Sequence, residues 1–112
     1  MGHLLPMLID LHNHTTPQSW DSYLSPDELI VKAKEAGLDG LCLTEHDQFW
    51  SPAEARELGF RHDFLVLPGV EITTEDGHLL AYGLEHYVYG MHRAPFLKAQ
   101  VDEVKGVLVF AH

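Results

Sequence analysis

The sequence predicts an α/β fold, and three observations carry that expectation. Short apolar runs alternate with stretches of helical periodicity, as in chains that build a parallel sheet covered by helices. Two of the helical stretches open on the same capping chemistry, Ser25-Pro26-Asp27-Glu28 and Ser51-Pro52-Ala53-Glu54. The apolar runs end in polar clusters rich in His and acidic residues, as if strands were delivering side chains to one rim.

Taken in order, Met7-Leu8-Ile9-Asp10-Leu11 reads as a buried strand ending in a polar turn. Ser25 is the N-cap of the first helix, Leu29, Ile30, Ala33 and Ala36 form its apolar face, and Gly37 stands where a C-terminal cap belongs. Gly40-Leu41-Cys42-Leu43-Thr44 is the second strand and runs into Glu45-His46-Asp47. The second helix is expected to end near Leu58, stopped by Gly59, before a third strand, Phe64-Leu65-Val66-Leu67. Val70-Glu71-Ile72-Thr73 and His78-Leu79-Leu80-Ala81-Tyr82 flank the turn signal Asp76-Gly77 and read as a hairpin or two closely spaced strands. A helix over residues 95–105 and a strand, Val107-Leu108-Val109-Phe110, close the series. With no repeat, low-complexity tract or linker, residues 1–112 read as one domain.

The bulk numbers exclude several classes of function. With 46% hydrophobic residues the 112-residue chain can bury a core and is not of disordered composition. A formal charge of −10 argues against nonspecific binding of duplex DNA or of an anionic membrane surface. No apolar run approaches a membrane span and the first residues lack a signal-peptide pattern, so a cytoplasmic location is the expectation. The single Cys42, between Leu41 and Leu43, reads as a buried strand residue and not a reactive thiol.

Nine histidines beside seventeen acidic residues point to metal binding, because neutral imidazole is the commonest biological metal ligand. His12 and His14 share a face of an extended backbone, so both imidazoles can reach one ion. Glu45-His46-Asp47, Glu71, His78 and His112 sit at other strand ends. That ligand types recur there, while the apolar runs themselves carry little polarity, is a stronger signal than any one residue.

Four segments, Asp10-Leu11-His12-Asn13-His14-Thr15, Leu43-Thr44-Glu45-His46-Asp47, Pro68-Gly69-Val70-Glu71-Ile72 and Val109-Phe110-Ala111-His112, resemble in order and spacing the signature motifs of the PHP (polymerase and histidinol phosphatase) family. The resemblance implies the N-terminal part of a distorted barrel of about seven β/α units, with two or three divalent metals at the strand C-termini. It implies a metal-dependent phosphoesterase acting through activated hydroxide on a small phosphate monoester, nucleotide or short oligonucleotide. A noncatalytic PHP-like structural or binding module is the alternative, and hydrolysis of some other ester or of an amide is a third possibility.

Carried over by residue, His12 and His14 would bind one metal, with Glu71 bridging to a second held by His78 and His112. His46 and Asp21 would serve a third position, and Asp10 and Asp47 would accept imidazole N–H groups to orient the rings. Glu71, His12 and His14 are the residues expected at the centre of the reaction. Mixed imidazole and carboxylate ligands favour zinc, manganese or iron over magnesium or calcium.

Trp20, Phe49 and Trp50 are candidates for lining a substrate pocket, and Arg61, Arg93 and Lys98 for gripping a phosphate. His62, His86 and His92 fall outside the motifs and read as ordinary polar residues. The family's later Asp-x-His motif does not follow His112. A C-terminally incomplete domain is therefore expected, in preference to a barrel completed by association with another chain or to a degenerate, inactive domain.

Overall fold

The structure is a computed structural model and describes residues 7–16 and 23–111. In chain order the elements are β1 (Ile9–Asp10), α1 (Pro26–Glu35), β2 (Gly40–Leu43), α2 (Pro52–His62), β3 (Leu65–Pro68), β4 (Val70–Thr74), β5 (Gly77–Tyr82), α3 (Ala94–Glu103) and β6 (Val107–Phe110). The first two helices start where their capping boxes put them. Ser25 accepts the Glu28 N–H and Glu28 reaches back to the Ser25 N–H, and Ser51 and Glu54 repeat the arrangement. Gly37, at φ +86°, ends α1 as expected: its N–H reaches the Lys34 carbonyl while the Leu38 N–H reaches that of Ala33.

The second helix corrects its expected end. It runs through Gly59 to His62 and is capped by Asp63 in the left-handed region, at φ 50°. Gly59 is a close-approach residue, since a Cβ there would lie 2.6 Å from the Phe64 carbonyl oxygen where the chain folds back. The expected turn signal is also shifted: Thr74 pairs with Gly77, so Glu75 and Asp76 form the two-residue link and Gly77 already belongs to β5.

The strands form two sheets in place of one parallel sheet. β1, β2 and β3 pair in parallel in that order, whereas β5 lies between β4 and β6 and is antiparallel to both. A two-residue link forces β4 and β5 antiparallel. Helix α3 then returns the chain so that β6 runs alongside β5 in the direction of β4. A bridge between His46 and Glu71 joins the sheets, with the Asp47 N–H on the Glu71 carbonyl at 2.8 Å and the Glu71 N–H on the Glu45 carbonyl at 2.9 Å.

Each sheet has its own core. Ile30 and Ala33 of α1 and Ala55 and Leu58 of α2 pack on Leu41, Leu43 and Val66. Leu97 and Val101 of α3, with Met91, pack on Val70, Ile72, Leu79 and Ala81. Opposite the helices, Leu11, Cys42, Leu67, Tyr82, Val107 and Val109 line an apolar cavity of about 460 Å³. Cys42 is buried as expected, and burial pushes its thiol pKa up to about 11. No helix among the described residues is long and apolar enough to cross a membrane.

Candidate metal centre

Short strands place the candidate ligands. After β1 the chain stays extended, because the Thr44 N–H reaches the Asn13 carbonyl at 2.8 Å and the Asn13 N–H reaches the Thr44 hydroxyl at 2.9 Å. This continued pairing sets His12 and His14 beside the loop that follows β2 and carries His46. Glu71 lies in β4. His78 lies at the start of β5, not at a C-terminal strand end, but antiparallel pairing of Thr73 with His78 brings it to the same rim.

The four histidines converge on the Glu71 carboxylate, which is fully buried. Oε1 lies 2.6 Å from His12 Nε2 and 2.8 Å from His14 Nε2, and the two nitrogens are 3.3 Å apart. Oε2 lies 2.9 Å from His78 Nδ1 and 3.7 Å from His46 Nδ1. Burial drives the Glu71 pKa up, but hydrogen bonds from His12 and His14 and the proximity of His46 outweigh it, leaving the group below the ordinary glutamate value. Glu71 is therefore ionised at neutral pH. Two ligand-type groups result, His12–His14–Glu71 and His46–Glu71–His78, and the potential donor atoms within each lie inside 4.8 Å of one another. Imidazole nitrogens directed at a shared, ionised carboxylate fit divalent transition metals.

Asp21, His112 and Trp20 lie outside the described residues. The end of β6 does approach the cluster, since the Ala111 N–H reaches the His78 carbonyl at 2.9 Å.

The expected imidazole partners have other tasks. Asp10 Oδ1 accepts the backbone N–H of His12 at 3.1 Å, and Asp47 accepts the backbone N–H and hydroxyl of Thr73 at 2.9 and 2.8 Å. Both brace backbone beside ligand-type residues. Phe49 packs against the core of the second sheet and Trp50 against that of the first. The two also border, with Glu45, Gln48 and Glu54, a small cavity of about 180 Å³.

The expected phosphate grips are engaged or exposed. Arg61 pairs with Asp27 at 2.9 Å, Lys98 pairs with Asp102 at 2.6 Å, and Arg93 is an exposed residue preceding α3. His62 is a helix-packing residue, its Nε2 2.5 Å from Asp27 Oδ1. His86 is exposed, and the His92 carbonyl accepts the Glu75 N–H.

Glu45 had no assigned role in the sequence reading. It is fully buried and holds Thr15 and Trp50. The available signal was its position: next to His46 in extended backbone it must face away from the imidazoles, into the protein.

The family model described as the PHP domain matches residues 10–105. The chain is 37% identical over 109 residues to the 5'-3' exoribonuclease Rnm of Salmonella typhimurium, an alignment covering 92% of this chain and 36% of that protein. It is 33% identical over 75 residues to the PolC-type DNA polymerase III of Oceanobacillus iheyensis, covering 66% of this chain and 5% of the polymerase. Among solved structures, it is similar to a Bifidobacterium adolescentis protein assigned, by inference, as a metal-dependent phosphoesterase. That match has a TM-score of 0.60 and 32% identity, and covers 69% of this chain and 28% of the other. The chain thus spans little more than a third, at most, of the relatives described.

Proposed function

The chain belongs to the PHP domain family, and on that premise we propose that it carries the metal-binding part of a phosphoesterase acting on a small phosphate monoester, nucleotide or short oligonucleotide. The observation that carries this reading is the division of the Glu71 carboxylate, with Oε1 facing His12 and His14 and Oε2 facing His78 and His46. A carboxylate with imidazoles on both sides suits a pair of cations sharing one bridge. In this proposal His12, His14 and Glu71 hold one ion, Glu71, His78 and His112 a second, and His46 with Asp21 a third. The domain would form the N-terminal part of a distorted β/α barrel of seven units.

Zinc, manganese or iron suits the donor set. Divalent ions bound there would supply Lewis-acid charge to a phosphate and make a nearby water more acidic. The chain's own contribution is to hold Glu71 ionised in a buried position and to keep four imidazole rings around it. Asp47 and Asp10 assist by bracing the backbone on either side. The Rnm likeness supports a nucleotide-type substrate, and a cytoplasmic location is part of the same proposal.

The polymerase likeness favours a second reading, in which the chain is a binding module that holds metal without hydrolysis. Elemental analysis of the dialysed protein, followed by a screen with p-nitrophenyl phosphate, nucleoside 5'-monophosphates and short oligoribonucleotides, separates the two. Retained zinc, manganese or iron with metal-dependent phosphate release supports the phosphoesterase. Retained metal with no turnover in the chain or in a longer protein containing it supports the module, and no retained metal sinks both.

A further inference from the structure

We propose that Glu45 is a positioning residue whose buried carboxylate ties the segment bearing His14 to the loop bearing His46, while its backbone carbonyl holds the strand bearing Glu71, and so sets the metal-binding geometry in advance. The inference rests on the reading of the imidazole cluster as a metal site, and it concerns a residue outside the proposed ligand set.

Glu45 sits between Thr44 and His46 where the chain leaves β2. Adjacent residues in extended backbone point to opposite sides, so with His46 toward Glu71 the Glu45 side chain is driven inward, where it has no solvent exposure. Its Oε1 accepts the backbone N–H of Thr15 at 2.7 Å, and Oε2 accepts the Thr15 hydroxyl together with the Trp50 indole N–H at 2.8 Å. Thr15 directly follows His14 and is itself fully buried. The Glu45 backbone carbonyl accepts the Glu71 N–H at 2.9 Å. One residue therefore links the His12–His14 loop, the His46 loop, the strand bearing Glu71 and the approach to α2.

The need for such a link is visible in β1. Its regular pairing is confined to Ile9 with Gly40 and Asp10 with Leu41, leaving His12 and His14 beyond the ladder. Past Asn13, the Glu45 carboxylate holds the loop in register with His46, whose ring centroid lies 4.1 Å from that of His14. Burying a carboxylate is costly, and a neutral side chain could tie two loops at less expense. A carboxylate accepts all three of these donors at once; a glutamine presents one oxygen and one donating NH₂, so one donor must meet another.

The test is Glu45→Gln in the full chain, with Co²⁺ as probe. The readouts are Co²⁺ affinity by competition with a chromophoric chelator, the visible spectrum of the Co²⁺-loaded protein, and the thermal midpoint of the metal-free protein. The variant is expected to bind Co²⁺ about 10- to 100-fold more weakly with an altered spectrum, the range seen when groups that orient ligands are removed. Adding Trp50→Phe, which removes the donor facing the new amide, is expected to recover part of the affinity. If Glu45→Gln does not fold, Thr15→Val removes one donor and is expected to shift the spectrum in the same sense. A wild-type affinity and spectrum in the folded variant overturns the inference while leaving the site standing. Absence of Co²⁺ binding by the wild-type chain overturns the site and the inference together.

Discussion

Asp47 clamps Thr73 twice, taking its backbone N–H at 2.9 Å on one carboxylate oxygen and its hydroxyl at 2.8 Å on the other. The pair fastens β4, two residues beyond Glu71, to the loop that carries His46. Removing only the hydroxyl, in Thr73→Val, leaves the backbone bond intact and deletes one charge-assisted hydrogen bond. Urea denaturation is expected to show a loss of about 0.5–1.5 kcal/mol. An unchanged midpoint would mean that the backbone bond alone holds the strand.

Asp63 caps α2 in a left-handed conformation, at φ 50°, that favours glycine. Asp63→Gly is expected to stabilise the protein by about 0.5–1 kcal/mol, the relief of Cβ strain exceeding the added freedom of the unfolded chain. Gly59→Ala should act in the opposite sense, since the new Cβ would meet the Phe64 carbonyl oxygen. Thermal midpoints moving in the same direction for both variants would contradict this account of the helix end.

The Asp27 pKa is lowered by its hydrogen bonds to His62 and Arg61 across the α1–α2 contact. A carboxylate depressed in the folded state contributes stability above its unfolded pKa of about 4 and loses it as pH falls through the lower folded value. Because Asp27 is half exposed, that contribution should stay below about 1 kcal/mol. The difference in thermal midpoint between wild type and Asp27→Asn is therefore expected to be present at pH 6 and to shrink toward pH 3. A difference that persists undiminished in acid would assign the effect to packing instead.

Cys42 is 2% exposed, and burial raises its pKa to about 11, so it is an inert thiol at neutral pH. At pH 8 the native protein should react with an aromatic disulfide reagent at least about 100-fold more slowly than the urea-unfolded chain, through local opening. Comparable rates would show that the apolar cavity beside Cys42 admits the reagent.

Local chemistry was legible in the sequence wherever it is decided by neighbours in the chain. Ser25 with Glu28 and Ser51 with Glu54 mark the helix starts, and the polar residues closing the first two apolar runs mark the rim for His12, His14 and His46, whereas Glu71 reaches it from within β4 and His78 from the start of β5. Gly59 misled because it lies inside the last turn and not past it: its missing Cβ makes room for the Phe64 carbonyl where the chain folds back across the Asp63 cap, whose N–H, with that of Phe64, closes the helix on the Gly59 and Phe60 carbonyls. The direction of β6 was equally hidden: nothing in Val107-Leu108-Val109-Phe110 states which strand it will pair with. Arg61 illustrates the same limit, since its partner Asp27 lies 34 residues away and a charge reads alike whether it is engaged or free. Glu45 was visible as a residue, but its role depends on Thr15, which only the folded chain brings to it.

Glu71 is the point on which the metal reading turns. Glu71→Gln keeps the side chain's size while removing the charge that faces His12 and His14 on one side and His78 and His46 on the other. Elemental analysis after dialysis should show reduced metal per chain in the variant, because a neutral amide is a poor bridge between cations. For wild type, a metal bound only by the folded state adds about 2.7 kcal/mol at a free concentration 100 times its Kd. Chelator should therefore lower the wild-type thermal midpoint clearly and that of Glu71→Gln much less. The sign with pH follows from the lowered Glu71 pKa: metal retention should hold at neutral pH and fall in acid, as the carboxylate takes up a proton. Equal metal content in wild type and Glu71→Gln, with equal chelator sensitivity, would remove Glu71 from the bridge and require another residue there.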